Sequence, residues 1–217
     1  MTRRTRVMPG CQVFLIFAFF LSVDISLCDV VIGVGPCPTP DPKQDFNRTE
    51  FLGDWYEYER FPNKAEKHLV CVGNAFTDTG DEKMHLIQSA MREVREFGEV
   101  VFRYPVITSA TASPLNEEEP ARLRISYTPA LERPPLDLYV VETDYTVYAL
   151  LFSCTEISEF INIQRAWILT RIAGMPPLNI LALKSYLVRY AVEVKYFQSS
   201  HQEYCRHDVP MNMKLVR

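Results

Sequence analysis

The feature that most constrains this chain is a succession of short β-type runs between Gly53 and Arg171, each closed by a turn signal. Gly53–Arg60 is the first, and Leu69–Phe76, ended by Asp78-Thr79-Gly80, is the second. Lys83–Met91 follows, then a run around Val100–Thr111 that begins just after Gly98. Pro114 to Pro120, with Glu117, Glu118 and Glu119, reads as a solvated acidic turn. Beyond it lie Arg122–Tyr127, Leu136–Glu142, Tyr145–Ser153 and Ala166–Arg171. Eight strands at roughly regular spacing predict an antiparallel sandwich or barrel. The 13 Phe and 11 Tyr agree, since aromatic rings suit a pleated, half-buried surface.

Two segments depart from this pattern. Pro36 to Pro42 is too rich in proline for a helix or a central strand, so it is expected to wrap as an extended lead-in. After Pro176-Pro177, residues Leu178 through Tyr190 contain no further Gly or Pro. There Ile180, Leu183, Leu187 and Tyr190 recur at helical spacing and share one face. A single amphipathic helix is therefore expected after the eighth strand, with proline near its first turn and its apolar face on the outside of the sheet. A last extended piece, Ala191–Phe197, is expected before Cys205.

The first 28 residues read as a leader rather than as part of the fold. Arg3, Arg4 and Arg6 form a basic head before Val13–Val23, a run of 11 residues that is apolar except for Ser22. That is well short of the roughly 20 residues a membrane-spanning helix needs, and it suits a signal peptide cleaved after Ser26-Leu27-Cys28. Residues 29–217 are then a single secreted domain with 20 basic and 26 acidic side chains. That balance removes the usual electrostatic case for nucleic acid, and no phosphate-cradling G-x-x-x-x-G-K-[ST] run occurs. Four cysteines remain: Cys37, Cys71, Cys154 and Cys205. An even number in an oxidising compartment implies two disulfides with three pairings open, and no two are close enough for a zinc half-site. Asn47-Arg48-Thr49 is an N-glycosylation sequon, which adds to the case for secretion.

Three separated motifs resemble those of the lipocalin family, in particular its apolipoprotein D branch. Asp45-Phe46 followed by Phe51-Leu52-Gly53-Asp54-Trp55-Tyr56-Glu57 is similar to the family's leading helix and G-x-W strand. Thr143-Asp144-Tyr145 resembles the turn between the sixth and seventh strands, and Trp167-Ile168-Leu169-Thr170-Arg171 the eighth strand with its closing arginine. The resemblance implies an eight-stranded antiparallel up-and-down β-barrel with one C-terminal α-helix packed outside. It implies a closed end built on Gly53, Trp55, Thr143, Asp144, Tyr145 and Arg171, with the Arg171 guanidinium over the Trp55 ring. It also selects the pairings Cys37–Cys154 and Cys71–Cys205.

A barrel of this size has room for one small ligand. The resemblance puts Phe76, Gln88, Tyr127 and Trp167 against it, with Gln88 as one polar group on an apolar wall. The implied function is carriage of a small hydrophobic molecule such as a fatty acid, sterol or retinoid. A bilin pigment, or action through a protein partner or cell-surface receptor, is the alternative. Stable membrane insertion, a cofactor and a bound metal are not expected. Catalysis is not expected either: the predicted disulfides leave no free thiol, no G-x-S-x-G or H-E-x-x-H occurs, and Glu57, on the face of Trp55, has no evident acid–base partner. His201, Cys205 and His207 read as an exposed tail around a disulfide rather than as metal ligands. The loop Thr128–Leu136, at the open end, carries Glu132 and Arg133, which argues against a lipid-inserting tip.

Overall fold

The computed structural model describes residues 13–14, 25–26, 29–129, 133–203 and 205. The leader and its cleavage site, Glu132 and His207 lie outside the described residues, apart from a short antiparallel pairing of Val13–Phe14 with Ile25–Ser26. Eight antiparallel strands form the body: β1 (Gly53–Arg60), β2 (Leu69–Asp78), β3 (Met84–Glu96), β4 (Glu99–Pro114), β5 (Arg122–Thr128), β6 (Leu136–Thr143), β7 (Tyr148–Ser158) and β8 (Ile161–Thr170). Each pairs with the next, and β1 also pairs with β8, which closes the sheet into a barrel. Of the two β architectures the spacing allows, the barrel is the one formed.

Period-two alternation sorts the side chains. On β8, Trp167 and Leu169 point inward, while Ala166 and Ile168 point outward under helix α2 (Ile180–Val188). Leu183 and Leu187 press α2 onto the outer faces of β6, β7 and β8. The inner core gathers at one end, where Phe51, Trp55, Phe76 and Met84 are fully buried.

Several boundaries differ from the sequence reading, each for a physical reason. β3 and β4 run on to a two-residue turn at Phe97-Gly98, so strand continues through residues 92–96 beyond the run that the sequence ended at Met91. The outer part of this hairpin exposes Phe97, Val101 and Phe102 and has little core to bury, which is why its pattern is weak. Tyr145 belongs to a turn with φ +64°, and β7 starts at Tyr148. β8 begins at Ile161, five residues before Ala166. A strand at Val31–Val34 pairs with the first part of β8, ahead of the proline-rich segment. Helix α2 starts after Asn179, whose side chain accepts from the Ala182 N–H, so the two prolines precede the helix rather than enter its first turn. The stretch expected to be extended at Ala191–Phe197 contains a 3-10 turn at Val194–Tyr196; only Gln198–Ser199 pair, against β1.

Candidate functional site

The narrow end of the barrel is sealed by one cation on one ring. Trp55 is fully buried, and its Nε1 donates to the Phe51 carbonyl at 2.8 Å. The Arg171 guanidinium carbon lies 3.7 Å from the Trp55 ring centroid. Its N–H groups donate to the carbonyls of Tyr145 at 2.8 Å, Asp54 at 3.0 Å, and Glu50 and Leu52 at 2.9 Å. Helix α1 (Arg48–Phe51) is short, and Asn47 caps it by accepting from the N–H groups of Thr49 and Glu50. Arg171 collects the carbonyls of the helix's Glu50 and of its C-cap Leu52, which have no partner within so short a helix. Gly53 holds φ +99°, and a Cβ there would lie 3.2 Å from an Arg171 nitrogen, so only glycine fits without strain.

The turn before β7 carries the rest of the seal. Asp144 accepts from the N–H groups of Thr146, Val147 and Tyr148. Thr143 donates its hydroxyl to the Tyr148 carbonyl and accepts from the Tyr145 N–H. These bonds hold Tyr145 in its left-handed conformation, where its carbonyl meets Arg171 and its hydroxyl accepts from the Asn47 N–H.

Above this floor lies a pocket open on one side, whose empty space, with the open solvent at its mouth included, is about 450 Å³. Phe76, Gln88, Tyr127 and Trp167 all line it, together with Leu86, Ile125, Leu138 and Leu151. Burial raises the Tyr127 phenol above its ordinary pKa, which keeps it neutral. Gln88 does not stand alone among apolar neighbours. Its Nε2 donates to Glu66 at 2.9 Å and to Asn74 at 3.4 Å. The Glu66 carboxylate also accepts from Trp167 Nε1 at 2.9 Å and from Asn63 Nδ2 at 2.6 Å. So the connection between β1 and β2 sends a carboxylate into the barrel and ties β3 to β8.

Neither Glu66 nor Asn74 figured in the sequence reading. Asn74 shares the face of Phe76, so parity alone could have found it. For Glu66 the signal is Asn63-x-x-Glu66, a capping pattern in which Asn63 accepts from the Glu66 N–H while Glu66 reaches back. That predicts a turn, not an inward aim.

Glu57 lies inside the barrel and is fully buried, and it has a partner that parity hides. A bulge at Tyr58 gives β1 one residue more than β8, which returns Arg60 to the inner face opposite Trp167. Arg60 pairs with Glu57 and donates to the carbonyls of Glu66 and Leu69, each at 3.0 Å. Burial pushes the Glu57 carboxyl up to about 7, outweighing the pull of Arg60, and the nearby Glu66 adds to the rise. The same two carboxylates hold Arg60 above its ordinary value despite its burial.

Cys37 is joined to Cys154 and Cys71 to Cys205, which pins the lead-in and the tail to the barrel wall. Among the described residues there is no free thiol, no cluster of His, Cys, Asp or Glu able to hold a metal ion, and no helix long and apolar enough to cross a membrane. Arg133, in the loop after β5, lies over the Tyr127 ring at the cavity.

The chain matches no protein-family model. It is 30% identical to apolipoprotein D of Oryctolagus cuniculus over 173 residues, covering 79% of this chain and 85% of the relative. Apolipoprotein D of Mus musculus is 27% identical over 172 residues, with the same coverage of each. Retinol-binding protein 4 of Gallus gallus is 29% identical over 121 residues, covering 54% of this chain and 58% of the relative. Among solved structures, lobster apocrustacyanin A1 superposes with a TM-score of 0.67 at 20% identity, covering 83% of this chain and 97% of the other. Insecticyanin from the tobacco hornworm Manduca sexta gives 0.61 at 17% identity, covering 79% and 88%. Those structural likenesses are of fold; the sequence relatedness to apolipoprotein D, over most of both chains, goes further, and this chain belongs to the lipocalin family.

Proposed function

We propose that the protein is a secreted carrier that holds one small hydrophobic molecule inside its barrel, in contact with Phe76, Gln88, Tyr127 and Trp167. The single observation that carries this reading is the cavity itself, walled mainly by leucine, isoleucine and aromatic side chains above a sealed floor. Retinol-binding protein 4, one of the relatives, is named for such a cargo. Two disulfides suit an oxidising compartment. The work is binding rather than bond-making: the interior carboxylates are held by Arg60, Gln88, Trp167 and Asn63, and none is poised against a nucleophile.

Mass-action arithmetic makes the proposal reasonable. Burying an apolar chain contributes about 0.8 kcal/mol per methylene, so about ten methylenes supply the roughly 8 kcal/mol of micromolar binding before ordering costs. The two tryptophans provide the test, because Trp167 lines the cavity while Trp55 lies in the floor under Arg171. A bound apolar ligand is expected to quench or shift the Trp167 emission, so Trp55→Phe keeps the signal and Trp167→Phe loses most of it. Survival of the signal in Trp167→Phe with loss in Trp55→Phe would place the ligand elsewhere. If no fatty acid, sterol, retinoid or bilin changes either emission, and organic extraction of the purified protein yields no apolar molecule, action through a protein partner takes the place of carriage.

A further inference from the structure

The polar groups of the cavity are unevenly used. A carboxylate offers about four lone-pair directions, and Glu66 fills three of them: two on Oε2, from Trp167 and Asn63, and one on Oε1, from Gln88. One acceptor direction on Glu66 Oε1 is left over. Gln88 spends both N–H bonds, on Glu66 and on Asn74, and its carbonyl oxygen has no partner among the described residues. Asn74 accepts that bond, while its own Nδ2 has none among the described residues. Two acceptors and one donor are thus left facing one space from β2, β3 and the β1–β2 connection, and all three residues line the cavity.

Charge narrows the choice further. Arg60 is committed to Glu57 and to two carbonyls; it reaches Glu66 only at its backbone oxygen. Glu66 is 4% exposed, and among the described residues its carboxylate makes no direct ion pair, Arg60 and Arg165 acting on it only through space. Arg165, on the inner face of β8 and nearer the mouth, donates to Thr155. A ligand carboxylate at the level of Gln88 would offer no donor to the two spare acceptors and would meet a like charge in a water-poor site. A ligand reversed, with its carboxylate near Arg165, would press its hydrocarbon on those acceptors and leave them unsatisfied. A hydroxyl both donates and accepts, and it is neutral.

Resting on the carrier reading, we infer that the cavity selects an apolar molecule bearing a hydroxyl, a lipid alcohol, over the matching carboxylate, with Glu66 as the specificity-determining residue and Gln88 and Asn74 completing the head-group site. The hydroxyl donates to Glu66 or Gln88 and accepts from Asn74, and the chain lies along Phe76, Leu86, Ile125 and Leu151.

Equilibrium dialysis of the full chain against labelled n-dodecanol and n-dodecanoate at about pH 7.5, where the acid is ionised, tests this. The expected result is dodecanol binding at least about tenfold more tightly than dodecanoate. In Glu66→Gln, which keeps size and most hydrogen bonds but not charge, the ratio is expected to fall below about threefold, chiefly through tighter dodecanoate binding. Gln88→Leu, which removes a spare acceptor without touching the charge, is expected to weaken dodecanol by several-fold. Dodecanoate binding as tightly as dodecanol to the wild type overturns the head-group assignment and leaves carriage standing; so does an unchanged ratio in both variants. A wild type that binds neither molecule, nor any ligand of the tryptophan experiment, overturns carriage and this inference together.

Discussion

Removing the Arg171 guanidinium is the sharpest perturbation of the closed end. Arg171→Ala takes away four hydrogen bonds of 2.8 to 3.0 Å from one charged donor, and with them the cation on the Trp55 ring. Glu50 is exposed and its carbonyl can turn to water, whereas the bonds to the Leu52, Asp54 and Tyr145 carbonyls are part-buried and those oxygens have less access. Counting about 0.5–1 kcal/mol for each of these three carbonyls and about 0.5–1 kcal/mol for the ring contact gives a loss of about 3 kcal/mol. For a domain of this size that corresponds to a fall in Tm of roughly 6–12 °C. Urea unfolding of wild type and Arg171→Ala, with equal slopes, measures it directly. Arg171→Lys is expected to recover less than half, because one ammonium cannot spread across carbonyls that a planar fork reaches together. Ligand affinity should hold within about twofold, since the seal lies beneath the cavity. A loss below about 1 kcal/mol would show that these carbonyls are well hydrated without Arg171 and that the seal is ornamental.

Two further substitutions test neighbouring parts of the argument. Glu57 titrates near 7 in the folded barrel against about 4.3 when unfolded, so the unfolded chain releases this proton first and stability falls as pH rises from about 4 to 7. That contribution is at most about 4 kcal/mol; urea unfolding at about pH 5 and pH 8 should show Glu57→Gln losing less stability than wild type over the interval, and equal losses would mean Glu57 is ionised at little cost. Gly53→Ala forces a side chain to φ +99° and against Arg171, so it should cost about 2 kcal/mol in the same assay, and a neutral effect would show that the β1 start can relax away from Arg171.

Much of the barrel was legible because its signals are local. Turn residues such as Asp78-Thr79-Gly80 end strands by backbone chemistry, and the Asn179–Val188 stretch carries its own helical period. The closed end was legible through the lipocalin resemblance, and the structure shows why Gly53, Trp55, Asp144 and Arg171 stand there: each answers a demand that few other residue types meet, namely a positive φ, a ring to plug a taper, three amides to collect and a fork of donors. Strand limits were harder. The outer β3–β4 hairpin has no core to write an alternation into its sequence, and Val31–Val34 is a strand only because β8 leaves an edge beside it.

The interior polar chemistry was decided by tertiary structure alone. Strict parity sends Arg60 to the outer face, and it points inward only because a bulge against β8 adds one residue at Tyr58. Asn63-x-x-Glu66 specifies a capped turn, but nothing local says whether that turn faces solvent or drops a carboxylate between Gln88 and Trp167, 22 and 101 residues further along the chain. The residue sequence by itself therefore determined eight short strands and one following helix, because burial and turn chemistry act over a few residues; closure into a barrel with a sealed end was implied by the lipocalin resemblance and not by those local signals. Which polar atoms face the lumen was decided only when eight strands closed and brought distant donors and acceptors to one place.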